Sequence, residues 1–141
     1  MPAPEHLHAV VRGWVQKAEN DLVNAAHTLK LGPTAPTDTI CFHAQQCVEK
    51  YLKAMLVLSG RDFPRTHDIE DLVRRLPRGI DPGLSANEQE RLTMYATITR
   101  YPGGDDPVPI AAARKGVAIA RRVRKAVRKH LPRPILRAPR G

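Results

Sequence analysis

Aromatic side chains are scarce in this sequence, with one Trp, two Phe and three Tyr making 4% of the residues. A core must therefore be assembled from Leu, Val, Ile, Ala and Met, a palette that suits packed helices and disfavours sandwiches and barrels, whose strands draw on β-branched and aromatic residues. Cysteine is nearly absent too. Cys41 and Cys47 are six residues apart on one predicted helix, about 9 Å in rise, which is too far for a disulfide. With no further cysteine to complete a thiolate metal set, both read as small buried apolar groups. The longest strongly apolar run, Ala54 to Leu58, falls far short of the ~20 residues that cross a bilayer, and Met1 to His8 lack the basic-then-apolar order of a leader. The expectation is a cytoplasmic protein with no membrane partner. No Gly-rich phosphate loop, zinc-spaced ligand set or Ser-His-Asp order occurs, so NTP hydrolysis, zinc chemistry and serine hydrolysis have no footing, and neither metal nor cofactor is expected.

Acid is missing from one stretch altogether. Residues 111 to 141 hold eleven Lys or Arg and no Asp or Glu, whereas residues 1 to 110 hold twelve basic and fourteen acidic groups. The net charge of +9 is thus local. Such a segment attracts polyanions through a salt-dependent field that is indifferent to base sequence. No aromatic is interleaved to stack bases, so RNA, DNA and an acidic protein partner are all compatible with it.

What is present is helical periodicity. Leu7, Val11, Trp14, Ala18, Leu22, Ala25 and Leu29 step by three and four, predicting a helix that Gly32-Pro33 ends. A second helix is expected from Thr37 or Asp38, either of which can cap it, to Ser59-Gly60, with Ile40, Ala44, Cys47, Val48, Tyr51, Leu52 and Met55 inside. A short helix follows His67-Asp68 and buries Ile69, Leu72, Val73 and Leu76. Ser85-Ala86-Asn87-Glu88 has the capping-box arrangement for a fourth helix, which buries Leu92, Tyr95 and Ala96. Three Pro and two Gly make residues 101 to 109 a loop, and a last helix runs from Ile110 to about Leu131. The fold class is all-α, an antiparallel up-down bundle of four to five helices over residues 1 to 131. Residues 132 to 141, rich in Pro and Arg, are expected to form a disordered tail.

Several separated motifs carry a family resemblance. They are Trp14 and Lys17-Ala18-Glu19-Asn20-Asp21-Leu22, then Phe42 to Ala54 (FHAQQCVEKYLKA), then Phe63-Pro64-Arg65-Thr66-His67-Asp68-Ile69, and Arg100-Tyr101-Pro102. In this order, over about residues 10 to 125, the chain resembles the stand-alone HEPN domains. The resemblance implies a helical bundle that dimerises and acts with a minimal nucleotidyltransferase, in some cases as a toxin-antitoxin pair. Active members are metal-independent ribonucleases with an Arg, four to six residues, then His. Here no His follows Arg100 at that spacing. Arg61 to His67 and Arg124 to His130 satisfy the bare spacing, one across Pro64 in a loop and the other at a basic helix end.

His43, Gln46, Lys50 and Lys53 fall along one flank of the second helix, beside its buried stripe. Imidazole and amide suit a base or backbone, and two ammonium groups suit phosphate oxygens. The plainer alternative has His43 and Gln46 satisfying each other or backbone groups at a helix interface while both lysines are solvated. His67, Arg100 and Tyr101 complete the candidate ligand-binding set, with His43 and Arg100 the candidate catalytic pair should a ribonuclease reaction exist. Lys17 and Asp21, one turn apart, read as an intrahelical ion pair, the alternative being an acid that faces the His43 strip across the bundle. The leading expectation is a nucleotide- or RNA-binding interaction module, homodimeric and partnered by a nucleotidyltransferase. The alternative is a metal-independent ribonuclease toxin.

Overall fold

The computed structural model describes residues 4–98 and 107–137, which form six helices and no strand. Helix α1, Pro4–Leu29, buries Val11, Val15, Ala18, Leu22 and Ala25, which adds Val15 to the expected stripe and leaves its end residues Leu7 and Leu29 only partly buried. Trp14 is only half-buried and meets Phe63 edge to face, with ring centroids 6.2 Å apart. Gly32, at φ +68°, turns the chain into a 3-10 segment, Gly32–Thr34.

Helix α2, Thr37–Leu58, is the central rod and packs against α1 and against each of the helices α3 to α5 described below. Its first turn differs from expectation. Pro36 is the N-cap and no side chain caps the helix. Thr37 Oγ1 instead donates to the Val108 carbonyl at 2.6 Å, and Asp38 accepts from the adjacent Thr39 N–H at 2.8 Å. The hydroxyl is drawn away because the segment entering the last long helix lies alongside.

Helix α3, Ile69–Arg74, starts at Asp68, whose carboxylate accepts the Asp71 N–H. Helix α4, Ala86–Tyr95, carries the expected capping box between Ser85 and Glu88. Helix α5, Ile110–Arg128, buries Ala113, Val117, Ala120, Val123 and Val127, and places Gly116 where an added Cβ would lie 3.6 Å from that of Ala44. Pairings of Asp21 with His43 and of Trp14 with Lys53 make α1 and α2 antiparallel. Contacts of Ala44 with Gly116 and Tyr51 with Arg128 make α2 and α5 parallel, with α3 and α4 returning the chain between them. This is the up-down bundle that the periodicity predicts. Both cysteines are fully buried in α2, and burial pushes the Cys41 thiol up to about 11 and the Cys47 thiol further.

The segment after Pro132 is a correction to the sequence expectation. Helix α6, Arg133–Leu136, forms there, with Ile135 2% exposed and Arg12 donating to the Pro134 carbonyl at 3.3 Å. Proline ends α5 but is permitted in the first turn of a new helix. Leu131 and Ile135 then supply the apolar surface that holds it to α1. Residues 138–141 lie outside the described residues.

One ion pair fastens α5 to the start of α4. Arg122 donates to both Glu88 oxygens, at 2.8 and 3.0 Å, and to the Gly83 carbonyl at 2.8 Å. Gly83 has φ +76°, and a Cβ there would sit 3.3 Å from the Arg122 side chain. The hydrogen bond from Arg122, aided by the Ser85 backbone N–H, holds the Glu88 carboxyl at about 2 against an ordinary 4.5. A depressed folded-state value means that this contribution is complete above about pH 4.5 and disappears as the pH falls toward 2. Glu88→Gln keeps the cap and removes the charge. Its stability deficit, read by denaturant unfolding, is therefore expected to be full above pH 4.5 and to shrink steadily below it.

Candidate functional site

Glu19 and Asp21 are two residues apart on α1, about 200° around the helix, so they face opposite flanks. Each organises a polar cluster.

Asp21 is 8% exposed and aimed at α2. Its Oδ1 lies 2.9 Å from His43 Nδ1, and its Oδ2 accepts from Lys50 Nζ at 2.5 Å. It therefore reaches across the helix pair, and the intrahelical partnership expected with Lys17 is not formed. With its Nδ1 on a carboxylate, the imidazole keeps Nε2 for other partners, and the His43 side chain is 31% exposed.

Farther round α2, Gln45, Glu49 and Lys53 form a buried polar ladder at four-residue steps. Glu49 accepts from Lys53 Nζ at 3.2 Å and from Gln45 Nε2 at 3.3 Å, and its Oε1 lies 2.6 Å from His67 Nδ1. Gln45 also donates to the His67 carbonyl, and Gln46 donates to Gln45 Oε1 at 2.6 Å. The Lys53 ammonium lies 5.6 Å from the ring centroids of both Trp14 and Phe63, within cation–π range.

The predicted flank thus exists but divides in two. His43 and Lys50 belong to Asp21, while Gln46, Lys53 and His67 belong to the Glu49 ladder. Neither part of the plainer alternative holds, because His43 and Gln46 have separate side-chain partners and both lysines are paired with carboxylates. Arg100 and Tyr101 lie outside the described residues. The two Arg-His pairs with ribonuclease-like spacing are engaged elsewhere. Arg61 donates to the Arg75 carbonyl while His67 contacts Glu49, and Arg124 is bound to Glu19.

The residues missed from sequence are Gln45 and Glu49. Their signal was the polar repeat at positions 45, 49 and 53, which abuts the apolar stripe where fully solvated side chains would be out of place.

On the other flank, Arg124 grips the Glu19 carboxylate through Nε and Nη2 at 2.8–2.9 Å, and Arg128 bonds Glu19 at 3.1 Å and the Tyr51 hydroxyl at 3.3 Å. Burial works against the Glu19 charge, yet the two guanidinium groups outweigh it and hold the carboxyl below its ordinary value. Burial pushes the Tyr51 hydroxyl up to about 12. Beside this cluster a groove of 880 Å³ runs between α1 and α5. Among the described residues no three His, Cys, Asp or Glu come together as metal ligands, and no helix is long and apolar enough to cross a membrane.

A family model described as HEPN domain matches residues 11–130. The crystal structure of TT1696 from Thermus thermophilus is similar to this chain, with a TM-score of 0.69 and 25% identity, covering 86% of this chain and 98% of that one. None of the curated proteins matches.

Proposed function

This chain belongs to the HEPN domain family, and on that premise we propose that it is a nucleotide- or RNA-binding interaction module, homodimeric and acting with a minimal nucleotidyltransferase in a toxin-antitoxin type of pair. The observation that carries the reading is the Asp21 fork. It sets an imidazole and an ammonium side by side at a half-exposed rim, with 31% and 22% of their side chains open to solvent. Imidazole Nε2 offers a bond to a base edge or ribose hydroxyl, and Lys50 offers charge to a phosphate oxygen.

The same fork supports a second reading. A carboxylate on Nδ1 orients the ring as a general base is oriented in many hydrolytic sites, leaving Nε2 to take a proton from a ribose 2′-hydroxyl. This is the ribonuclease alternative, with Lys50 steadying the phosphate.

Titration of a labelled single-stranded RNA and of a nucleoside triphosphate, followed by fluorescence anisotropy, separates the readings. The module binds without turnover, and both His43→Ala and Lys50→Ala weaken binding about tenfold, the effect of losing one charge-assisted hydrogen bond. RNA stays intact in the presence of chelator. Cleavage that persists with chelator and vanishes in His43→Ala transfers the assignment to the ribonuclease. Unchanged affinity in both variants removes the site. Sedimentation equilibrium is expected to return twice the chain mass of 15.7 kDa.

A further inference from the structure

The groove between α1 and α5 has a built asymmetry that the polar flank does not share. Its floor is aliphatic, made by Leu22 and Ala26 with Val23 at the outer α1 edge, and its α5 rim carries Arg121, Lys125 and Lys129. Val23 is 68% exposed and lies outside the buried stripe of α1, an apolar side chain presented to solvent at the groove's edge. The three cations stand at four-residue intervals, a row about 12 Å long on one face of α5. Among the described residues no carboxylate pairs with any of them, whereas their neighbours Arg124 and Arg128 are held by Glu19. That clamp fixes the groove wall without neutralising its rim.

We propose that this groove docks an acidic amphipathic helix of a partner protein. Helix-in-groove recognition requires an apolar floor for residues at i, i+3 or i+4 and i+7 of the incoming helix. Leu22 and Ala26 supply that floor, and Val23 extends it at the α1 edge. Carboxylates spaced by four along the edge of the incoming helix match Arg121, Lys125 and Lys129 one for one, in the interval that a helix produces by itself. A single-stranded nucleic acid fits less well, because aliphatic side chains give its bases nothing to stack on and no aromatic lines the groove. A second copy of this chain placed face to face would set the same cations against each other across a two-fold axis. The inference is independent of the nucleotide reading, since Asp21 and His43 lie on the opposite flank of α1.

The test uses the full chain and a synthetic helical peptide of about sixteen residues, enough for roughly four turns, with Leu on one stripe and Glu at four-residue steps beside it. Fluorescence anisotropy is expected to show saturable binding that weakens with salt. Val23→Asp and Lys125→Glu each weaken it tenfold or more, and His43→Ala leaves it unchanged. Val23 and Lys125 are exposed, so both variants are expected to keep the parent circular dichroism. A control peptide with every Glu replaced by Gln is expected to bind at least tenfold more weakly. The proposal is overturned if the peptide does not bind, if Val23→Asp binds as tightly as the parent, if the Gln peptide binds equally, or if single-stranded RNA displaces the peptide and Val23→Asp leaves RNA binding intact. Self-association lost in Val23→Asp would likewise overturn it, assigning the groove to a second copy.

Discussion

Replacing Glu49 by Ala is expected to lower folding stability by about 3–5 kcal/mol, the cost of removing one partner from a buried ion pair. Glu49 is 3% exposed and Lys53 7%. Without the carboxylate, the Lys53 ammonium is left among Trp14, Phe63 and the α2 backbone with no counter-charge, and the Gln45 amide loses one of its two acceptors. The effect should not be shared by the whole cluster. The His67 side chain is 49% exposed, so His67→Ala should cost no more than about 1 kcal/mol despite its 2.6 Å contact with the same carboxylate. Glu49→Leu with Lys53→Met together should recover most of the loss, since replacing a buried pair by apolar groups of like volume is often neutral. Urea unfolding of the two single variants and the double variant checks this. A Glu49→Ala protein within about 1 kcal/mol of the parent would mean that Lys53 reaches water, contrary to its burial.

Ile135→Ala should cost about 2 kcal/mol, at the low end for a buried Ile because α6 is short and lies at the edge of the bundle. A disordered tail would give no effect at all. Ile135 is 2% exposed and Leu131 6%, so the chain after α5 forms part of the core boundary. The urea midpoint is expected to fall with little change in the slope against denaturant, because the variant unfolds the same surface. Truncation before Pro132 should reproduce the loss. If both variants match the parent, the contact of α6 with α1 contributes nothing to stability.

Much of the bundle is legible in the residues because helical periodicity is local. Val11, Ala18, Leu22 and Ala25 lie on one face of α1 whatever that face meets, and Gly32-Pro33 ends the helix without help from elsewhere. The Ser85–Glu88 box is also local and forms as expected, and the Asp68 cap is an equally local feature. The first turn of α2 is not legible, because the competitor for the Thr37 hydroxyl is the Val108 carbonyl, 71 residues away. The tail departs from expectation for a related reason. Composition in Pro and Arg argues against independent structure, and it is silent about a helix that forms because Ile135 has an apolar surface to meet.

The flank of His43, Gln46, Lys50 and Lys53 shows where the boundary falls. Its position on α2 follows from 3.6 residues per turn, and the sequence alone is enough to place those four side chains beside the buried stripe. The sign and number of partners they find is set by α1 and the 61–68 connection, which bring Asp21 to His43 and Lys50, and His67 to Glu49. Charge pairing acts through a few ångströms of space and is blind to chain distance. Helix faces and caps are therefore determined by neighbouring residues, while the division of the flank into two clusters and the opening of a cationic groove on the far side of α1 come only from how the rods pack.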